Sequence, residues 1–152
     1  MSDTNQIQVN FYDTIEDDQL QFVVIIAKFH TSYIFCKHKQ RETYELPGGR
    51  RESNESILEA AKRELEEETG AINYHIKPIC VYSVIGQTRV NESGKETFGM
   101  LYEAEVVEFA SLHHEIECIE LFEELPDYLT YPLIQPVLLK EYERKMKNND
   151  KV

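Results

Sequence analysis

"ELPGGRRESNESILEAAKRELEEETGA", from Glu45 to Ala71, decides how the rest of the chain is read. It opens on a Pro-Gly-Gly turn, passes through a polar loop and becomes a helix whose last turns carry Glu64, Glu66, Glu67 and Glu68. A helix C-terminus favours cations, because the aligned peptide dipoles leave partial negative charge there. Crowding acids at that end breaks a local rule, and such breaks are expected where charge serves function at a cost to stability.

At about 100° per residue, Leu58, Ala61 and Leu65 fall in one stripe expected to face the core, with Glu59, Lys62 and Glu66 on the solvent side. Glu64, Glu67 and Glu68 are expected as a separate group flanking that stripe, their i, i+3, i+4 spacing placing three carboxylates on one edge. Three such charges repel one another unless a cation lies between them. Carboxylate oxygens suit hard divalent ions such as Mg²⁺ or Mn²⁺, which keep open positions for water and phosphate oxygens. Read plainly, a charge run is a solvated face. That reading fits poorly here, because Lys62 with Glu66 and Arg63 with Glu67 place the cation N-terminal to the acid, the weaker order. Upstream, Pro47, Gly48 and Gly49 predict a turn in which unusual backbone angles bring carbonyls and amides close to an ion or ligand.

Joined together, these residues give Gly49, five residues, Glu55, seven residues, Arg63-Glu64-Leu65, one residue, Glu67-Glu68, one residue, Gly70 and Ala71. The pattern resembles the Nudix box, Gx5Ex7REUxEExGU with U aliphatic, and departs from it only in the small size of Ala71. The resemblance implies the Nudix α/β/α sandwich, an α/β fold of the α+β kind with a mixed sheet between helices. It also implies hydrolysis of a nucleoside diphosphate linked to another moiety, with Mg²⁺ or Mn²⁺ as cofactor. Carried over by position, Glu64, Glu67 and Glu68 would hold the metal, with the Gly48 carbonyl as a further ligand. Arg63 would orient the glutamates, Glu55 would fix the loop against the helix, and Gly49 and Gly70 would be structural. The catalytic base varies across the family; Glu64 or Glu67 is expected here, with Glu92, Glu96 and Glu120 as outside candidates. Cleaving a phosphoanhydride demands neutralised phosphoryl oxygens and an aligned, acidified water, which such a set supplies.

The wider composition is compatible with this. The chain has 152 residues, 41% of them hydrophobic and 29% charged, so a single domain spanning 1–152 is expected. A formal net charge of -12 argues against duplex nucleic acid or an anionic membrane as partners. The expected partner is a small nucleotide, and nothing in the chain speaks to oligomeric state. Cys36, Cys80 and Cys118 form no CxxC pair, the N-terminus lacks a basic-then-apolar leader, and FVVIIA (Phe22 to Ala27) is too short to span a bilayer, so a cytoplasmic location is expected.

Strands are predicted at Gln21 to Phe29, Tyr33 to Lys37, Ile79 to Gly86, Thr97 to Val107 and Glu115 to Phe122. Helices are predicted at about Asn54 to Thr69, stopped by Gly70 in the left-handed conformation, and about Leu133 to Met146. NESGKE, Asn91 to Glu96, reads as a loop, and KMKNNDKV, Lys145 to Val152, as a frayed polar tail.

Substrate choice lies outside the box. CKHKQRETYELPGG, Cys36 to Gly49, resembles the approach to the box in MutT-like nucleoside triphosphatases, and Lys37, Lys39, Arg41 and Arg50 read as a phosphate-contacting rim. Arg41 and Arg50 are the substrate-binding candidates. The family markers for NADH, ADP-ribose and dinucleoside polyphosphate enzymes are missing, which leans towards triphosphates. Tyr44 and Phe98 are candidates to stack on a base, and His113, His114 and Cys118 lack the fourth ligand of a zinc site. The leading expectation is metal-dependent hydrolysis of a nucleoside triphosphate, oxidised triphosphates among the options, to monophosphate and pyrophosphate. The alternatives are a nucleotide sugar or other diphosphate conjugate as substrate, and a Nudix-fold regulator that binds nucleotide without cleaving it.

Overall fold

The structure, a computed structural model, describes residues 6–38, 42–88, 91–110 and 116–150. In chain order the elements are β1 (Gln8–Tyr12), a 3-10 turn at Asp17–Gln19, β2 (Leu20–Phe29), β3 (Ser32–His38), β4 (Gly48–Arg50), α1 (Ile57–Thr69), β5 (Ala71–Ile85), β6 (Thr97–Phe109), β7 (Ile116–Phe122) and α2 (Gln135–Asp150). The strands form one sheet of order β1-β5-β6-β2-β3-β7, with β4 paired to β2. It is mixed: β2 runs parallel to β6, and the other pairings are antiparallel.

Alternation along β2 sorts the core, because successive strand residues point to opposite faces. Val23, Ile25 and Ala27 pack on one face with Ile57, Ala60, Ala61 and Leu65 of α1. Val24 and Ile26 pack on the other with Leu138, Leu139 and Tyr142 of α2. Helices on both faces of a mixed sheet make the α/β/α sandwich that the sequence implies. Among the described residues no helix is long and apolar enough to cross a membrane.

The sheet opens where the segment leading into the Gly49–Ala71 pattern enters it. The β2–β3 ladder consists of Lys28↔Tyr33 and Phe29↔Ser32 beside the hairpin turn. Beyond those pairs Glu45–Arg50 lies between the two strands. Cys36 and Glu45 exchange backbone hydrogen bonds of 2.8 and 3.0 Å, the Ile25 N–H donates to the Pro47 carbonyl at 2.9 Å, and Gly48–Arg50 pairs with Phe22–Val24. This inserted wedge brings two glycines against α1.

Several elements differ from expectation. β1 is a short edge strand outside the expected set: Val9 and Phe11 alternate with Gln8 and Asn10 and pack against the core, and five register pairs hold it to β5. β5 starts at Ala71, not Ile79; its first half is mostly exposed and contains Pro78, which sits at a ladder irregularity between Pro78 and Cys80. A proline is tolerated there because no ladder hydrogen bond is demanded of it. α2 begins at Gln135 and continues through Asp150, into the stretch expected to fray.

Candidate active site

The start of α1 sets which side chains reach the site. Ser56 is the N-cap: its hydroxyl accepts the Glu59 N–H at 3.0 Å, while the Glu59 carboxylate accepts the Ser56 N–H at 2.8 Å. This reciprocal box fixes Ile57 as the first helical residue, three residues later than predicted. Ile57 therefore takes the first core position, followed by Ala60, Ala61 and Leu65. Leu58, expected in the stripe, stands about 100° away from Ile57 and is 40% exposed.

The same rotation divides the three glutamates. Glu64 and Glu68 fall within the buried stripe, seven and eleven residues after Ile57, so they do not flank it as expected. Glu68 is 8% exposed and the Glu64 side chain 14%. Glu67 lies off the stripe with 57% of its side chain exposed. Gly70 ends the helix at φ 76°, its N–H donating to the Glu66 carbonyl at 3.0 Å.

Gly48 and Gly49 are needed for space, not for turn geometry. Neither has a positive φ, and both are extended in β4. A Cβ on Gly48 would overlap the Val23 carbonyl, and one on Gly49 would overlap the Glu64 carboxylate. Since Pro47 and Gly49 direct their polar backbone groups at β2, those of Gly48 face the opposite edge. There the Gly48 N–H donates to Glu68 Oε1 at 2.8 Å.

Arg63 ties the set together. Its Nε and Nη2 grip Glu55 at 3.0 and 2.7 Å, Nη1 reaches Glu64 Oε2 at 3.1 Å and Glu67 Oε1 at 3.2 Å, and Nη2 also donates to the Arg50 carbonyl at 3.1 Å. The Arg63 hydrogen bond, helped by the Glu52 N–H, holds the Glu55 carboxyl down at about 2. Burial, and then the charge of Glu68, pushes Glu64 up to about 7 against the pull of Arg63. Arg51, which no motif singles out, bonds the Glu55 and Asp17 carbonyls at 3.0 and 2.9 Å and pins the loop to the 3-10 turn.

These groups border a cavity of about 320 Å³. Glu64, Glu68, Gly48, Gly49 and Arg50 line it, with the Arg50 guanidinium 5.0 Å above the Phe22 ring. Arg63, Glu55 and Glu67 stand behind this lining. Arg41, Lys39, His113 and His114 lie outside the described residues, as does the Cys118 side chain. Tyr44 packs on Phe122 and donates to Glu120, and Phe98 packs on Tyr12, so neither lines the cavity as a base-stacking residue. Glu96 is occupied by Tyr12 and Ser83, and with Glu92 and Glu120 it is outside the lining. Phe22, Tyr82, Tyr131, Ile134 and Gln135 add to the walls, as do Glu45, Leu46, Thr88 and Thr97. No local pattern marks them, because they come from segments far apart in the chain.

Among the described residues no three acidic, histidine or cysteine side chains converge as a metal cluster. The physical reason is visible: Arg63 draws Glu67 outward, and the Gly48 amide engages Glu68. The donor chemistry nonetheless fits a hard divalent ion, with the α1 carboxylates Glu64 and Glu68 at the cavity wall, Glu45 also in the lining, and a glycine whose missing Cβ leaves room for Glu64.

Comparison with known proteins agrees with this geometry. The family model for the NUDIX domain matches residues 14–136. YtkD of Bacillus subtilis (strain 168), provisionally named an 8-oxo-dGTP diphosphatase, is 33% identical over 128 residues, covering 83% of this chain and 77% of that protein. A crystal structure of a mutant of the Bacillus subtilis pyrophosphohydrolase BsRppH superimposes with a TM-score of 0.73 at 27% identity, covering 91% of this chain and 90% of the other. The Nudix domain of Shewanella oneidensis NrtR, complexed with ADP ribose, shares the fold at TM-score 0.62 and 14% identity, over 84% of this chain and 88% of that one. On motif, fold and likeness together, the chain belongs to the NUDIX family and is a Nudix hydrolase.

Proposed function

We propose that this hydrolase converts a nucleoside triphosphate, oxidised triphosphates included, to the monophosphate and pyrophosphate, with Mg²⁺ or Mn²⁺ as cofactor. The observation that carries the reading is one cavity with Glu64 and Glu68 on one wall, the cationic Arg50 beside them, and a mostly apolar and aromatic remainder interrupted by Glu45, Thr88, Thr97 and Gln135. Phosphates and a base have complementary places there. The names of the relatives, a diphosphatase for 8-oxo-dGTP and a pyrophosphohydrolase, support it.

Glu64, Glu68 and the Gly48 carbonyl would hold the metal, with Glu67 joining them by leaving Arg63. When bound, such an ion neutralises phosphoryl oxygens and acidifies water. Arg63 and Glu55 keep the glutamates in place, Gly49 leaves room for Glu64, and Arg50 meets a phosphate. Glu64 is the carboxylate we assign to take the proton of the attacking water, because it faces the cavity and Glu67 does not.

The test is product identification with GTP, dGTP, ATP and 8-oxo-dGTP in millimolar Mg²⁺ or Mn²⁺. Monophosphate and pyrophosphate are expected, with orthophosphate appearing only after pyrophosphatase is added. Direct release of orthophosphate would overturn the reading, as would cleavage of nucleotide sugars with triphosphates untouched.

A further inference from the structure

Arg50 and Arg51 are neighbours in the sequence and part ways in the structure. Arg50 lines the cavity and Arg51 does not, because successive residues of an extended segment point to opposite faces. Arg51 turns its donors inward: Nε to the Glu55 carbonyl at 3.0 Å, Nη1 to the Asp17 and Leu20 carbonyls at 2.9 and 3.3 Å, and Nη2 to the Asp17 carboxylate at 2.9 Å. Its side chain is 19% exposed. From Glu52 to Ser56 no residue is buried, so polar ties, and not apolar packing, decide where this loop stands. Glu55 is held at both ends, its carbonyl by Arg51 and its carboxylate by Arg63 and the Glu52 N–H. Arg63 grips that carboxylate through Nε and Nη2. A guanidinium is planar, so a two-pronged grip on one carboxylate also fixes where the third nitrogen points. That nitrogen, Nη1, meets Glu64 Oε2 at 3.1 Å.

We propose that Arg51 is a positioning residue for the hydrolysis: anchored on Asp17 at the turn before β2, it holds Glu55 by its carbonyl and thereby fixes the plane of Arg63 and the place of Glu64. This rests on the reading that Glu64 takes part in the chemistry, and not on which nucleotide is cleaved. Arg51 is outside the cavity lining, so its loss should lower turnover and leave substrate affinity alone. A residue that merely fastened the loop would change stability without separating kcat from KM.

The test is a double-mutant cycle of Arg51→Met with Glu55→Gln, read as kcat and KM on any nucleotide that the wild type cleaves. Methionine keeps the apolar stem and removes the donors. Arg51→Met is expected to lower kcat by about tenfold or more with KM within about twofold. With Glu55→Gln already in place the same change should lower kcat by less than about threefold further, because both residues act through Arg63. Asp17→Ala, at a side chain 71% exposed, removes one anchor without touching the core. It should lower kcat by about twofold to threefold and have no further effect in Arg51→Met. Unchanged kcat in Arg51→Met, or losses that multiply in full in the double variant, would overturn the proposal; if Arg51→Met does not fold, wild-type kcat in Asp17→Ala would do so. Glu64→Gln, assayed alongside, keeps the two claims apart. A deep loss there with wild-type kcat in Arg51→Met removes the positioning role and leaves Glu64 in the reaction, whereas wild-type turnover in Glu64→Gln removes Glu64 from the reaction and the positioning role with it.

Discussion

Glu64 and Glu68 on the α1 wall are each tied to a protein donor, Arg63 and the Gly48 amide, and Arg63 is itself fastened to Glu55 and the Arg50 carbonyl. Across the cavity, Gln135 at the start of α2 is fastened by one bond to Leu46 among mostly apolar and aromatic side chains. A wall in which every charge has a partner keeps acids in place despite their repulsion, whereas a wall of mostly apolar and aromatic groups sets the shape it can enclose. Substitutions on the first should alter turnover more than binding, and substitutions on the second binding more than turnover.

The largest effect should come from Glu68→Gln. The amide oxygen still accepts the Gly48 N–H, so the melting temperature should not fall, yet kcat should drop by about a hundredfold or more with little change in KM. Equal losses in stability and turnover would make the carboxylate structural. Gly49→Ala comes next: its Cβ meets the Glu64 carboxylate, and displacing that group should cost about tenfold to a hundredfold in kcat. Wild-type turnover in this variant would show that the position of Glu64 is not critical.

The pH dependence of stability sharpens the contrast further. Glu64 is raised to about 7, so the folded chain binds that proton more tightly than the unfolded one. Its contribution to stability is complete below the ordinary carboxylate range and is lost as pH rises through about 7. Glu55, held at about 2, behaves oppositely: its contribution is present above the ordinary range and is lost as pH falls towards 2. Without metal, the melting temperature should therefore decline between pH 5 and pH 8 in the wild type and stay flatter in Glu64→Gln; parallel curves would contradict the burial of Glu64. The smallest effect belongs to Leu58→Ala, within about 0.5 kcal/mol by denaturant titration. A loss of about 2 kcal/mol or more, as for a core leucine, would move the buried stripe back to Leu58.

The α1 wall was legible because its parts lie within one run of sequence, where spacing along a helix is itself geometry. The layered architecture was legible through the continuous apolar run of β2, which is buried on both faces, and through the stop at Gly70. The start of α1 was written in the sequence as well, since Ser56 and Glu59 have the S-x-x-E spacing of a capping box, but an expected start at about Asn54 passes over it and misplaces the rotation of the helix. The glycines of β4 read as a turn because steric room against Val23 and Glu64 is a tertiary property. The α2 wall joins Leu46, Tyr82, Tyr131 and Gln135 from distant segments, and no periodicity announces a cavity. β1 is only five residues long and the first half of β5 is mostly exposed, and each pairs with a strand distant in sequence, β1 with the end of β5 and the first half of β5 with β6.

Titration of Mn²⁺ into the metal-free wild type and Glu68→Gln, followed by electron paramagnetic resonance of the free ion, tests the central claim that the α1 carboxylates hold the cation. Saturable binding by the wild type, weakened at least about tenfold in the variant, is the predicted result; equal affinity in the two proteins, or none in either, would contradict it.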